Sequence, residues 1–474
     1  MKSANALLDL STKKRIHVVG VGGPGMSAIA QVLAEMGHVV SGSDIKESES
    51  VQRLREIGVA INIGHDVASV QYCDAVTASS AIPKQNIELI EAIDAGIAVL
   101  SRAQMLALIC GQKRSIGVAG THGKTTTSSM LMTVLRAAQL DPSFIIGGEV
   151  RGVGSGASWD SGDHLVVEAD ESDGTHEQLP LSAVIVTNID IDHLDHFSTF
   201  DNMVESFERL IHAVAGPKVI CSDNASLSAI ALKQNVTTYA IHSPAQFTVS
   251  NVQFHDGGST FDVLRHEAPG DNGQLLGRVT LRLRGEHNVA NALGTIAMAT
   301  ALGVGFDVIA SALAAFSGVS RRFDPRGNDD GVSFVDDYAH LPMEISAVLS
   351  SCTDETDPWT RVVAVFQPNR FNRMQHMSDT YADCFAAADH VVITDIYSSG
   401  TTPIAGVTGK LVVDAIARAH PDTSIAWKPT RAELIQHLAT ELRSGDLCIS
   451  MGCGDIETLP DEVIAARRAL RGGS

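Results

Sequence analysis

No Cys-x-x-Cys pair occurs in this chain, and its seven cysteines are scattered from Cys73 to Cys453. An odd, dispersed set favours buried free thiols in a reducing compartment over a disulfide framework. The nearest pair, Cys448 and Cys453, has no cluster of His or Cys beside it, which argues against zinc. Long apolar runs are also missing, and none approaches the length of a membrane span. Basic residues are short: 35 Lys and Arg face 55 Asp and Glu, a formal charge of −20. Such a chain is a poor non-specific binder of nucleic acid or of an anionic membrane, although local Lys and Arg can still hold an anionic substrate. Lys13, Lys14 and Arg15 precede only a short apolar stretch broken by glycines, which is not a signal-peptide pattern, so the cytoplasm is the expected location. Solenoid repeats, low-complexity tracts and coiled-coil heptads are absent.

What is present is a globular composition, 44% hydrophobic over 474 residues, too long for one ordinary core. Two or three domains are expected. The first unit opens with the apolar strand Ile16–Val19, the turn Gly20-Val21-Gly22-Gly23-Pro24-Gly25, a helix-spaced stretch from Met26 to Glu35, and a second strand ending at Asp44. Strand, glycine turn, helix and strand begin a doubly wound parallel sheet. The second unit repeats this logic from Ser115 to Ala119, through Gly120–Thr125, into a helix expected over Ser128–Gln139. Leu165–Val167 and Val184–Thr187 read as buried parallel strands. Alternating residues between Phe247 and Leu283 predict a small antiparallel sheet. A third α/β unit begins near Ser320, with strands at Val362–Phe366, Val391–Thr394 and Leu447–Ser450.

The loop Gly120-Thr121-His122-Gly123-Lys124-Thr125 carries the strongest chemistry. Glycines let backbone N–H groups approach a phosphate, Lys124 supplies charge along the phosphate chain, and Thr125 offers a hydroxyl for Mg²⁺. The usual Gly-x4-Gly-Lys-Thr spacing would need glycine where Val118 stands, and the alternative is a glycine-rich helix cap with a solvated lysine. Gly20-x-Gly22-x-x-Gly25, with Asp44 placed as a ribose-binding acid, fits NAD, FAD or another nucleotide diphosphate, or else an unliganded turn. Glu168-Ala169-Asp170-Glu171-Ser172-Asp173 and Asn188 to His196 follow adjacent strands, where Mg²⁺ ligands or solvated helix caps are equally at home. Asn288 and Asn291 fall three apart on one helical face, suited to an adenine edge or to a cap. Arg321-Arg322-Phe323 offers guanidinium forks for a phosphate. Asp336 to Pro342 and Gln367 to Arg373 follow strand-like runs and face either a cleft or solvent.

Taken in order, the phosphate loop with Thr126, Glu-Ala-Asp-Glu-Ser-Asp, Thr-Asn-Ile-x-x-Asp-His-Leu-Asp, His-Asn-x-x-Asn-Ala, Arg-Arg-Phe and Asp-Asp-Tyr-Ala-His-x-Pro closely resemble the Mur ligases. These are ATP-dependent amide-forming enzymes of peptidoglycan precursor synthesis. The resemblance covers nearly the whole chain. It implies three α/β domains: a Rossmann-like UDP-binding domain over 1–112, a central ATPase domain over 113–322, and a C-terminal Rossmann-like domain over 323–474 that presents the amino acid and closes over the site. Within the family, the opening Gly20-x-Gly22-Gly23-x-Gly25-Met26-Ser27, Ser79-Ser80-Ala81-Ile82-Pro83 and Phe366-Gln367-Pro368 resemble members that act on UDP-N-acetylmuramate and L-alanine, and the resemblance implies those substrates with ATP and Mg²⁺ as cofactors.

Site roles follow from the same resemblance. Gly120 to Thr126 would bind ATP, with Asn288, Asn291, Arg322 and Asp337 as further contacts. Thr125, Glu168 and His193 would hold the metal. Gly22, Gly23, Gly25, Met26, Ser27, Asp44, Ser79 and Ser80 would hold the UDP-sugar. Lys124, His340, Arg370 and Arg373 would serve the reaction, His340 as the base for the amine. Leu341, Asn369, Thr401 and Cys453 depart from the family pattern; all lie in the third domain and bear on the identity of the amino acid. A murein-peptide recycling ligase is the near alternative. An NAD-dependent dehydrogenase would use the first glycine turn but leave Gly120–Thr125 without a purpose.

Overall fold

A computed structural model describes residues 8–79, 81–192, 194–255, 257–268, 271–353 and 357–472. Three sheets succeed one another along the chain. The first has five strands in the order Ala60–Ile63, Val39–Asp44, Arg15–Val19, Ala75–Ala78 and Ala98–Ser101. All its pairings are parallel. Parallel neighbours need crossovers, and helices such as Pro24–Glu35 and Ile87–Asp94 supply them. The helix expected from Met26 starts two residues earlier because Pro24 takes the first helical turn, where its missing N–H costs nothing.

The second sheet has ten strands. Its centre is Arg114–Ala119, paired in parallel with Ala183–Val186 on one side and His164–Glu168 on the other. The strands Phe247–His255, Gly258–Arg265 and Gln274–Leu281 continue its edge, joined through the single pairing of Tyr239 with Phe247. The third sheet runs Asp324–Asp329, Val332–Asp337, Asp446–Met451, Arg361–Phe366, His390–Ile393 and Ile425–Trp427. Its strand Arg361–Phe366 shows how a continuous apolar run is used. Val362, Ala364 and Phe366 enter one buried cluster, whereas Val363 and Val365 enter another. Alternate side chains thus feed helical layers on opposite faces.

By its contacts the chain divides into two compact units. One comprises residues 1–252, 260–281 and 289–317; the other comprises 253–259, 282–288 and 318–474. All seven cysteines are free, five of them buried. Among the described residues no helix is long and apolar enough to cross a membrane.

Candidate active site

Strand Arg114–Ala119 ends between two parallel neighbours, so the loop that follows leaves the sheet at the carboxyl ends of three strands. Two glycines there have no substitute. Gly120 has φ +126, and a Cβ on it would stand 2.2 Å from Thr187 Oγ1. Gly123 has φ +80, and a Cβ there would meet Asn291 Oδ1 at 2.5 Å. The left-handed turn at Gly123 leads straight into helix Lys124–Ala137, four residues ahead of the expected Ser128 start.

Neighbouring strands pin the loop. Thr121 N–H donates to Asn188 O (3.3 Å), and His122 N–H donates to Asn188 Oδ1 (2.8 Å). Thr187 Oγ1 and Asn188 Nδ2 donate in turn to His122 O at 2.5 and 3.1 Å. His122 Nε2 lies 3.1 Å from Asp190 Oδ2. Lys124 is drawn inward: its Nζ reaches Gly120 O (2.6 Å), Thr121 O (3.2 Å) and both oxygens of Glu171 (3.0 and 2.9 Å). Burial works to lower the lysine's pKa, but Glu171, Asp170 and Glu168 outweigh it, so the ammonium is held charged above its ordinary value. An ammonium kept on the loop's own carbonyls, beside the N-terminus of a 14-residue helix, is a seat for a polyphosphate.

Three further groups stand at this loop. Thr125 and Thr126 are buried in the first helical turn, each 7% exposed. Glu168 follows Val118 across the sheet and accepts Gly147 N–H at 2.7 Å. Asn291, 7% exposed on helix Glu286–Ala301, abuts the Gly123 turn. A hydroxyl and a carboxylate are the hard oxygen donors that suit Mg²⁺. His193, assigned to the metal from sequence, lies outside the described residues, as does Ser80. Glu171 belongs to the acidic motif, yet nothing in the motif marks it out, because its grip on Lys124 spans 47 residues and leaves no local signal.

At the first glycine turn, Gly22 N–H donates to Asp44 Oδ2 at 2.8 Å, so this acid braces the loop with one oxygen. Gly23 caps the helix, and Met26 and Ser27 N–H return to its carbonyl at 3.0 and 2.8 Å. The Met26 side chain is 2% exposed and packs in the core. Ser79, after strand Ala75–Ala78, accepts Ala81 N–H at 3.3 Å.

The remaining predicted residues belong to the second unit. Asn288 Nδ2 donates to Arg284 O at 2.7 Å. Arg321 and Arg322 lie over the Tyr338 ring, 5.0 and 5.1 Å from its centroid. Arg321 is committed to Asp336 (3.0 Å), Glu457 (2.9 Å) and Gly452 O (2.8 Å). Asp337, 4% exposed, accepts Phe323 and Ala339 N–H at 2.7 and 2.8 Å. Burial pushes its pKa up to about 6, opposed by Arg322. His340 Nδ1 lies 3.1 Å from Tyr338 O and 3.3 Å from Glu344 Oε2. Arg373, 8% exposed, donates to Asn369 Oδ1 at 2.8 Å, and Arg370 N–H donates to Tyr397 O at 2.9 Å. Three of the four positions that depart from the family pattern have structural roles: Asn369 orients Arg373, Thr401 Oγ1 accepts Phe371 N–H at 3.0 Å, and Leu341 is buried.

A parallel sheet whose central strand passes through a glycine loop into a lysine-headed helix defines a phosphate-loop, nucleotide-using α/β protein. Three family models match in succession: "Mur ligase family, catalytic domain" over residues 15–114, "Mur ligase middle domain" over 118–299 and "Mur ligase, glutamate ligase domain" over 321–454. The chain belongs to the Mur ligase family. It is 39% identical to a UDP-N-acetylmuramate–L-alanine ligase from Geotalea daltonii, covering 96% of this chain and 98% of the relative. The protein of that name from Rhodopseudomonas palustris is 40% identical, covering 95% and 97%. The crystal structure of UDP-N-acetylmuramate-alanine ligase from Thermotoga maritima superposes with TM-score 0.80 at 26% identity, covering 96% of this chain and all of that one.

Proposed function

We propose that the protein joins L-alanine to UDP-N-acetylmuramate at the expense of ATP, through an acyl phosphate, in peptidoglycan precursor synthesis. One observation carries this reading: a single unit holds both a glycine turn fit for a nucleotide diphosphate and a second loop with Lys124 fit for a triphosphate. A dehydrogenase needs only the first. Full-length relatives bearing the ligase name supply the direction of the chemistry. The free thiols suit the cytoplasm, the proposed compartment.

The lactyl carboxylate oxygen attacks the γ-phosphorus of ATP, the bond to the β-phosphate oxygen breaks, and ADP leaves. Lys124 and the N–H groups of the loop offset the charge on the transferring phosphoryl group. Thr125 and Glu168, with His193, would hold Mg²⁺, which neutralises phosphate charge when bound. Asn288 and Asn291 are assigned to adenine, and Arg322 and Asp337 to ATP. The turn Gly22–Gly25 with Asp44 and Ser79, joined by Ser80, is assigned to the UDP-sugar. The alanine amine then attacks the acyl carbon and phosphate departs. With Nδ1–H donating to Tyr338 O, His340 presents Nε2 as the proton acceptor. Arg370 and Arg373 provide guanidinium forks for the amino acid's carboxylate.

Phosphate release from ATP, followed with L-alanine, glycine, L-serine and a murein tripeptide as acceptors, tests the assignment. Release should require UDP-N-acetylmuramate and should be fastest with L-alanine. Equal turnover without the sugar nucleotide would sink the reading, and a preference for the tripeptide would move it to the recycling ligase.

A further inference from the structure

Between the first glycine turn and the acidic motif lies a guanidinium to which the sequence motifs assign nothing. Arg102 opens helix Arg102–Cys110, whose start is fixed by a reciprocal Ser101–Gln104 capping box. One edge of its planar head faces the acidic motif: Nη2 donates to Asp173 Oδ2 (3.0 Å), Asp170 Oδ2 (3.4 Å) and Thr175 Oγ1 (3.5 Å). The other edge faces the sugar-nucleotide turn, where a Cβ on Gly25 would stand 3.5 Å from Nη1. The side chain is 22% exposed, so its charge is only partly screened. Asp170 precedes Glu171, the carboxylate that clasps Lys124.

We infer that Arg102 is a positioning residue that couples the sugar-nucleotide turn at Gly22–Gly25 to the acidic motif bracing Lys124. The inference rests on reading that turn as the seat of a nucleotide diphosphate. A diphosphate at Gly25 attracts the Nη1 edge and competes with Asp170 and Asp173 for the same guanidinium. Weakening that hold changes the field on Asp170 and Glu171, and so the restraint on Lys124. Because coupling between two sites is reciprocal, ATP at Lys124 alters sugar-nucleotide affinity by the same factor. The fork geometry of arginine permits both edges to work at once, which a lysine ammonium cannot reproduce.

The test measures the affinity of the full-length protein for a non-hydrolysable ATP analogue, with and without saturating UDP-N-acetylmuramate. In the unmodified protein the two affinities should differ by about tenfold. Arg102→Ala should bring that ratio close to one and move the analogue's affinity alone towards the value the unmodified protein shows with the sugar nucleotide bound. Arg102→Lys should retain sugar-nucleotide binding but not the ratio. Asp173→Asn, which leaves the guanidinium in place but removes a competitor for it, should bind the sugar nucleotide at least as tightly and lower the ratio; it decides the matter should Arg102→Ala fail to fold. A ratio of one in the unmodified protein, or an unchanged ratio in Arg102→Ala or Asp173→Asn, overturns the coupling. Failure of the unmodified protein to bind UDP-N-acetylmuramate at all would instead sink the assignment of the turn.

Discussion

Lys124 Nζ lies 2.9 and 3.0 Å from the two carboxylate oxygens of Glu171, whose side chain is only 1% exposed. The phosphate-loop lysine is therefore already neutralised by the protein's own acid, and an incoming triphosphate must take Glu171's place. Glu171→Gln keeps the shape and a hydrogen bond to Lys124 but removes the competing charge. The variant should bind a non-hydrolysable ATP analogue several-fold tighter, on the order of 1 kcal/mol, with the gain shrinking as salt is raised. Calorimetric titration at two ionic strengths measures this. Weaker binding would show that Glu171 helps to seat the nucleotide.

Asp337 is held neutral more readily than an ordinary aspartate, its pKa pushed up by burial from 3.8 to about 6 despite Arg322. Between those values the native state keeps a proton that the unfolded chain has lost. Stability from this group is therefore full below pH 4 and declines as pH rises through 6, by about 3 kcal/mol in all. Asp337→Asn cannot lose a proton, so its unfolding midpoint should fall less than the parent's between pH 4 and pH 7. Parallel midpoint curves for the two proteins over that range would contradict the assignment.

How much of this was legible in the sequence depends on range. Strand Arg361–Phe366 announces itself by the unbroken apolar run from Val362, and strand Arg114–Ala119 by its largely apolar, buried stretch from Ile116, because both faces of a parallel strand are covered. The loop Gly120–Thr125 is visible because its chemistry is compressed into six residues. The helix after it starts earlier than periodicity suggests, since Thr125 to Ser129 are buried polar residues that dilute the apolar signal. What was not legible is long-range pairing: Arg102 with Asp173 across 71 residues, Lys124 with Glu171 across 47, and Arg321 with Asp336. No local pattern predicts which acid a given base will meet. The arginine doublet showed the same limit, since only the fold reveals that both guanidiniums lie over Tyr338 and that Arg321 is also committed to Asp336 and Glu457.

Gly123 joins backbone strain to a close approach, having φ +80 with Asn291 Oδ1 2.5 Å from where a Cβ would be. Gly123→Ala should lose about 1–2 kcal/mol from the left-handed conformation alone. Asn291 must also move, which disturbs the turn that starts helix Lys124–Ala137. Affinity for the ATP analogue should fall at least about tenfold, whereas UDP-N-acetylmuramate binding should change little. Measuring both ligands on the same variant separates the outcomes, and equal loss of the two would indicate general unfolding instead of a damaged loop.

Glu88 anchors the interior of the first sheet's unit. Fully buried, it accepts from Ser43 Oγ at 2.6 Å and Asp66 N–H at 3.2 Å, with His65 Nδ1 at 2.8 Å and His17 Nε2 at 3.5 Å. Burial raises its pKa, but the neighbouring His17 imidazole and hydrogen bonds from Ser43, Asp66 and His65 win and bring it from 4.5 down to about 2. A depressed carboxylate pKa stabilises the native state above the unfolded value. That contribution is complete above pH 4.5 and is lost as pH falls towards 2, about 3 kcal/mol in total. Glu88→Gln should accordingly lower the unfolding midpoint at pH 7 and flatten the loss of stability between pH 4.5 and pH 2. Urea unfolding of parent and variant across that range is the measurement. If the two lose stability in parallel on acidification, the buried carboxylate is not what the acid limb titrates.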